Sequence, residues 1–320
     1  MDGENWFCLL CVRSTSATIQ PMTDETLIDR MAGVTVFQRD GERALHKPFL
    51  LLIALARLQR GEPRFTPYGE IRPVLADLLQ RYWSSKRAQP RHPFWRLQND
   101  NLWEVPERES LLQACSHLKR QGDVPDKVLM DGGARGGFPD GIDRALRDSP
   151  SLVNRIATRL LNDNFPPSLH EDILDSIGMP WVVEKGGKRK RDPAFRHTVL
   201  GAYNYRCAIC GYDGRLGETS LGLEAAHVKW HAAGGPDEAD NGLALCSFHH
   251  KTFDLGAIGV SQDLRVLVST EVNGHDRVDE WLNRFAGQRL TGPRSGSPPR
   301  DEYLNWHLTE VFRKPAVAGG

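Results

Sequence analysis

Apolar residues cover almost every face of HKPFLLLIALARLQRG, residues 46–61. A helix that is apolar all round is a buried one. Pro48 suits its first helical position, with His46 and Lys47 just ahead of it, and Gly61 its stop. The next stretch, EIRPVLADLLQRYW, spaces Ile71, Val74, Leu75, Leu78, Leu79 and Tyr82 along one face of an amphipathic helix, with Pro73 in its first turn. That helix should pack on the first. HPFWRLQNDNLWEV is rich in aromatics and ends in a strand-like run, and MDGGARGGFPDGI, residues 130–142, reads as a glycine-rich loop. Leu152, Ile156, Leu160 and Leu161 set a further helix. Residues 22–178 are thus predicted to form a mostly helical domain with a few short strands.

The pattern changes at EKGGKRKR, residues 184–191, the centre of a basic linker predicted over residues 179–196. AFRHTVLGAYNYRCAICGYD then reads as a helix leading into a knuckle. From Leu221 to about Asp279, short strand-like runs alternate with loops. GPRSGSPPR is a loop and DEYLNWHLTEVF a final helix. There is no internal repeat. The expected fold class is α+β, with a second domain over residues 197–320. Residues 1–21 are expected to be a disordered leader, and Met22 opens a more ordinary sequence that could be the true start.

Composition narrows the class. The chain has 320 residues, 40% of them hydrophobic and 26% charged, as in soluble globular proteins. The 41 basic and 41 acidic residues cancel, so affinity for an anionic polymer must come from local patches. No apolar run approaches the ~20 residues of a membrane span, and WFCLLCV is too short for a secretory signal. The cytoplasm is the expected compartment, with no membrane partner. A disulfide framework is not expected from six cysteines in such a chain.

Cysteine spacing carries the first chemistry. Cys8 and Cys11 stand alone in the leader. Cys207-x-x-Cys210 and Cys246-x-x-His249 are two short pairs that can close a tetrahedral site with three sulfurs and one nitrogen. A zinc there would be structural, standing in for a core this short segment lacks. His249 is followed directly by His250 in LCSFHHKTFD. Helical neighbours point about 100° apart, so the two histidines should serve two ions on two sides of one helix.

A second set lies around these pairs: His227 at the end of a strand-like run, Asn241 before GLALC, and His250 on the helix from Ser247. Order, spacing and the flanking Phe253 and Asp254 resemble the HNH nucleases, whose fold wraps two strands and a helix round one divalent ion (ββα-metal). The resemblance implies a general base at His227, an orienting asparagine at Asn241 and a metal ligand at His250. The ion implied is hard, Mg²⁺ or Mn²⁺. The sequence departs from the pattern at Ala226, where many relatives carry a second ligand. Glu224, on the same strand face, or His231 is a possible substitute. His249 stands where many relatives have a fourth zinc cysteine. Asp254 is expected to brace the helix that carries His250.

The first domain has its own resemblance. HKPFLLL, YGEI, HPFWRLQNDNLWEV and GGARGGF resemble the sulfur-binding domains of McrA-type restriction endonucleases. That resemblance implies recognition of phosphorothioate DNA, with His92 and Pro93 at the sulfur. A sulfur atom favours an apolar wall and a positive rim over a dense cage of donors. HPFW can supply the wall, and Arg96, His46, Lys47 and Arg135 can supply charge toward DNA. Pro93, Phe94 and Trp95 fit a plain core equally well, and Lys47 a solvated surface.

The expected function is a type IV, modification-dependent restriction endonuclease, with double-stranded DNA as partner and a homodimer if both strands are cut. A nuclease directed at 5-methylcytosine is the alternative, as is a zinc-stapled DNA-binding module with weak or no nuclease activity.

Overall fold

The computed structural model describes residues 23–34, 38–39, 42–43, 45–82, 89–116, 123–179 and 193–317. Cys8, Cys11 and most of the basic linker lie outside them. The fold is α+β. In chain order it runs α1 (Asp24–Ala32), β1 (Gln38–Arg39), β2 (Glu42–Arg43), α2 (His46–Gln59), β3 (Thr66–Pro67), α3 (Tyr68–Tyr82), α4 (Arg91–Arg96), α5 (Arg108–Ala114) and α6 (Asp126–Asp131). It continues with β4 (Arg135–Gly136), α7 (Asp140–Asp148), α8 (Pro150–Asn164), α9 (His170–Ser176), α10 (Pro193–Ala202), β5 (Arg215–Leu216) and β6 (Thr219–Ser220). Then come β7 (Leu223–His227), β8 (Gly242–Cys246), α11 (Ser247–Asp254), β9 (Ile258–Val260), β10 (Val266–Val268), α12 (Asp276–Trp281) and α13 (Asp301–Glu310).

Helix α2 is the central rod of the first core. Phe49, Leu50, Leu51, Leu52, Leu55 and Ala56 are wholly buried, as its unbroken apolar run requires. Helices α3 and α8 pack on it. The α8 start is built locally: the Ser149 hydroxyl accepts the Leu152 N–H, and Pro150 follows at a position where its missing N–H costs nothing. Phe165, just past α8, packs against Phe49 with its ring tilted by 37° and centroids 4.7 Å apart.

The structure corrects three sequence expectations. Helix α2 begins at His46, so His46 and Lys47 lie in its first turn rather than ahead of it. Val74 on α3 is exposed, because the buried stripe is carried by Ile71, Leu75, Leu78, Leu79 and Tyr82 without it. Residues 130–142 are not one loop: Arg135–Gly136 pairs antiparallel with Thr66–Pro67, and α7 starts at Asp140. Gly136 is required there, since a Cβ would sit 2.5 Å from the Trp103 indole nitrogen.

The second core is organised by the antiparallel pair β7–β8, which sets His227 opposite Gly242 and Leu223 opposite Cys246. All of β8 is buried. Helix α10 crosses so closely that a Cβ on Gly242 would meet Val199 at 2.4 Å. Helix α11 follows β8 directly and packs on both strands.

The two cores touch. Trp230 and Val311 belong to the first cluster, with Leu255 and Trp306 against it. Helix α13 anchors α11 from the other side. His307 is buried, stacks on Phe253 at 3.6 Å between centroids and meets the Phe253 carbonyl through Nε2 at 3.0 Å. Burial pushes its pKa down to about 4. The folded chain therefore keeps His307 neutral while the unfolded chain protonates it near pH 6.5. Between those values the unfolded state binds more protons, so stability falls as pH drops. Lowering the pH from 7 to 5 is expected to cost roughly 2 kcal/mol through this residue. Thermal melts at the two pH values should show a smaller drop for His307→Gln than for the natural chain; an equal drop would remove His307 as the cause.

Candidate functional site

Helix α11 presents its two adjacent histidines to different neighbours. His249 is wholly buried and meets the cysteines. Its Nδ1 lies 3.1 Å from the Cys246 sulfur and 3.6 Å from that of Cys207, and the Cys210 and Cys246 sulfurs are 4.0 Å apart. All four donor atoms fall within 4.8 Å of one another. A tetrahedral zinc with bonds near 2.3 Å needs ligand edges of about 3.5–3.8 Å. The donor set therefore fits zinc. The Nε2 of His249 lies 3.0 Å from the Trp281 carbonyl, which fixes its proton there and leaves the Nδ1 lone pair for an ion. The electrostatics agree: burial opposes a charged His249, but the Cys207 and Cys210 sulfurs outweigh it and push the imidazole up to about 9.

His250 faces the other way, toward two carboxylates. Its Nδ1 lies 2.5 Å from Glu224 Oε2 and its Nε2 3.2 Å from Asp254 Oδ2. Burial disfavours its charge, yet Asp254 and Glu224 together push it up to about 9. Glu224 and His250 Nδ1 are the side chains that would hold a divalent cation here. Ala226 is wholly buried on β7 and carries no donor; the carboxylate beside His250 is that of Glu224, two residues earlier. Ser247 donates to the other oxygen of Glu224 at 3.1 Å.

His227 ends β7, its ring stacked on Phe195 with centroids 4.0 Å apart. Its Nε2 lies 2.7 Å from Asp237 Oδ1. Asn241 is wholly buried and ties the intervening loop: it accepts the Lys229 N–H at 2.8 Å and donates to the carbonyls of Lys229 and Pro236. His231 is half exposed and 3.9 Å from the other oxygen of Asp237, away from the His250 nest. A cleft of about 290 Å³ is lined by Phe195, Arg196, Glu224, Ala225 and His227. It opens where a phosphate could meet the histidine, the carboxylate and the guanidinium together.

A second group lies on the helical part. His46 and His92 approach edge to face at 6.5 Å. Arg96 is paired with Asp123 at 2.6 Å, and Lys47 with Asp100 at 2.5 Å. Burial, then the charges of His92, Arg96 and Lys47, push His46 down to about 4. His46 is therefore a neutral ring inside a cationic rim. Pro93 is buried with Phe94 and Trp95, so the HPFW aromatics point into the core, with the side chains of His92 and Arg96 left at the surface. Arg135 pairs with Glu107 at 2.8 Å.

Residues 24–181 match the family model described as ScoMcrA-like, DNA sulfur-binding domain, and residues 207–261 match that of an HNH endonuclease. The chain joins a DNA sulfur-binding domain to an HNH endonuclease domain. No curated protein matches it. Among solved structures, the sulfur binding domain of ScoMcrA complexed with phosphorothioated DNA is 27% identical, with a TM-score of 0.42, over 48% of this chain and 96% of that one. The type IV phosphorothioation-dependent restriction endonuclease ScoMcrA is 27% identical at a TM-score of 0.39, over 50% of this chain and 31% of that one. The modification dependent TagI restriction endonuclease is 22% identical at a TM-score of 0.29, over 38% of this chain and 39% of that one.

Around the nuclease site, four participants escaped the sequence reading, one of them Arg196, which falls at the end of the predicted basic linker. Asp237 lies in an irregular loop with no periodic signal. Phe195 reads as an ordinary apolar helix residue. The Trp281 carbonyl is a backbone atom that no motif records.

The histidine pair generates a sharp expectation. The purified protein should carry one zinc per chain by elemental analysis. His249→Ala should lose that zinc and melt lower by roughly 10 °C or more, while His250→Ala should keep zinc. Equal zinc loss in both variants would show that the two sites are one.

Proposed function

We propose that this protein is a phosphorothioation-dependent restriction endonuclease that docks on sulfur-modified DNA with its helical domain and hydrolyses a nearby phosphodiester with its HNH domain. The observation that carries the reading is the cleft where His227, Glu224 and Arg196 meet, in the same chain as a sulfur-binding domain. His227 is the general base: a neutral imidazole can take the proton of an attacking water near neutral pH. Asp237 stabilises the imidazolium that results. Asn241 holds the loop behind His227 so that the ring keeps its aim. Glu224 and His250 would hold the hard divalent ion, and Arg196 meets the phosphate as it gains charge. When bound, that ion neutralises the scissile phosphate and the leaving oxygen.

The rim of Lys47 and Arg96 around His46, with His92 and the buried Pro93 beside it, suits a large, weakly hydrated sulfur on an anionic backbone. Both cations are already held by carboxylates, which fixes their positions and tempers their pull on unmodified phosphate. A single HNH site cuts one strand, so a double-strand break needs two copies. No described helix is long and apolar enough to cross a membrane.

The decisive test is digestion of one duplex in three forms (phosphorothioated, 5-methylcytosine-containing and plain) with Mg²⁺ or Mn²⁺. The phosphorothioated form should be cut preferentially. His227→Ala should lower the rate by about 10²- to 10⁴-fold while binding persists. Lys47→Ala should reduce the preference for sulfur. Preference for the methylated duplex would move the reading to a methylcytosine-directed nuclease, and binding without cutting to a DNA-binding module.

A further inference from the structure

Asp254 is wholly enclosed, at 2% exposure, and its carboxylate has two partners from two domains. One is His250 Nε2, on its own helix at 3.2 Å. The other is the hydroxyl of Ser168, which donates to the same oxygen, Oδ2. Ser168 belongs to the 3-10 turn Pro167–Leu169, inside the segment matched as the sulfur-binding domain. A buried carboxylate must have its lone pairs met, because each missing donor leaves an uncompensated charge in a poorly solvating interior. Here the sulfur-binding domain meets part of that need.

The contact is built. Lys251, next to His250, donates to the Ser168 carbonyl and pairs with Asp172 at 2.5 Å. Lys251 thus clamps α11 to this turn beside the hydroxyl. The turn itself is set by the first core: Leu169 is wholly buried, and Phe165 packs against Phe49 of α2. A carboxylate on the far nitrogen of a ligating histidine fixes its tautomer and ring angle and raises its basicity. Asp254 stands in that relation to His250, and Ser168 stands behind Asp254.

We propose that Ser168 of the sulfur-binding domain is a positioning residue for the nuclease ion site, acting through Asp254 on His250, so that the catalytic ligand set is complete only while the two domains are docked. This rests on the reading of His250 and Glu224 as the ion's ligands. Family-level signals for HNH nucleases end at residue 261 and begin at residue 207, so they contain no position equivalent to Ser168.

The test is Mn²⁺ titration of the zinc-loaded full chain without DNA, following free Mn²⁺ by electron paramagnetic resonance. Ser168→Ala should bind Mn²⁺ about 3- to 10-fold more weakly, below the 10- to 100-fold typical of a directly contacting partner. Ser168→Thr, which keeps the hydroxyl, should restore affinity. Lys251→Ala, which removes the neighbouring clamp but leaves the Ser168 hydroxyl on Asp254, should weaken Mn²⁺ binding less than Ser168→Ala does. Zinc content and melting temperature establish that each variant is folded. Unchanged Mn²⁺ affinity in Ser168→Ala overturns the proposal, as does equal weakening in the alanine and threonine variants. His250→Ala separates the two levels of argument. If it abolishes Mn²⁺ binding while Ser168→Ala does nothing, only the positioning role fails. If it leaves Mn²⁺ binding intact, the ligand assignment fails and the proposal with it.

Discussion

Two neighbouring residues on an α-helix cannot point the same way, and the nuclease half of this molecule hangs on that constraint. Helix α11 is short, yet it is loaded on opposite sides. His249 turns to three sulfurs and the Trp281 carbonyl, and His250 to Glu224 and Asp254. Anything that fixes one side sets the rotation of the other. The cysteine cluster is therefore more than a staple for a small core. It determines the helix angle, and so where His250 Nδ1 sits relative to Glu224.

The opposite end of the helix is held by different means. Phe253 stacks flat on buried His307, whose Nε2 meets the Phe253 carbonyl. Asp254 and Lys251 reach across to the turn around Ser168. An ordinary helix end would leave its last carbonyls to water. Here some are met by α13 and by Arg313, which donates to the Leu255 carbonyl at 3.0 Å. The helix is thus fixed at its start by sulfur chemistry and at its end by packing on two separate elements.

Much of this was legible in the sequence, for a physical reason. Metal-ligand pairs are local: Cys207 and Cys210, or Cys246 and His249, must share one turn to reach one ion, so their spacing is written in the chain. His227 and Asn241 stand beside the short strands β7 and β8, and His250 follows His249 directly, so they too are marked locally. Helix α2 was legible because a helix buried on every side needs an unbroken apolar run. What stayed hidden depends on distant segments. Asp237 reaches His227 from a loop shaped by Asn241, and Ser168 reaches Asp254 across a domain boundary. Neither has a neighbour in sequence that marks it. Gly136 misled in the opposite sense: its glycine serves close packing under Trp103 in a strand, not the freedom of a loop.

The departure at Ala226 shows what geometry can absorb. On a strand, residues two apart face the same side, separated by about 7 Å along the chain. A carboxylate moved from position 226 to position 224 would fall short if its side chain were as brief as aspartate's. Glutamate adds a methylene and recovers part of that reach, and Glu224 does come within 2.5 Å of His250 Nδ1. Ala226 itself is wholly buried, on a strand against which α11 packs. Any shift of that helix off the strand would separate His250 from Glu224 and pull Asp254 away from Ser168 at the same time. Close packing of helix on strand thus sets the distance between the two side chains.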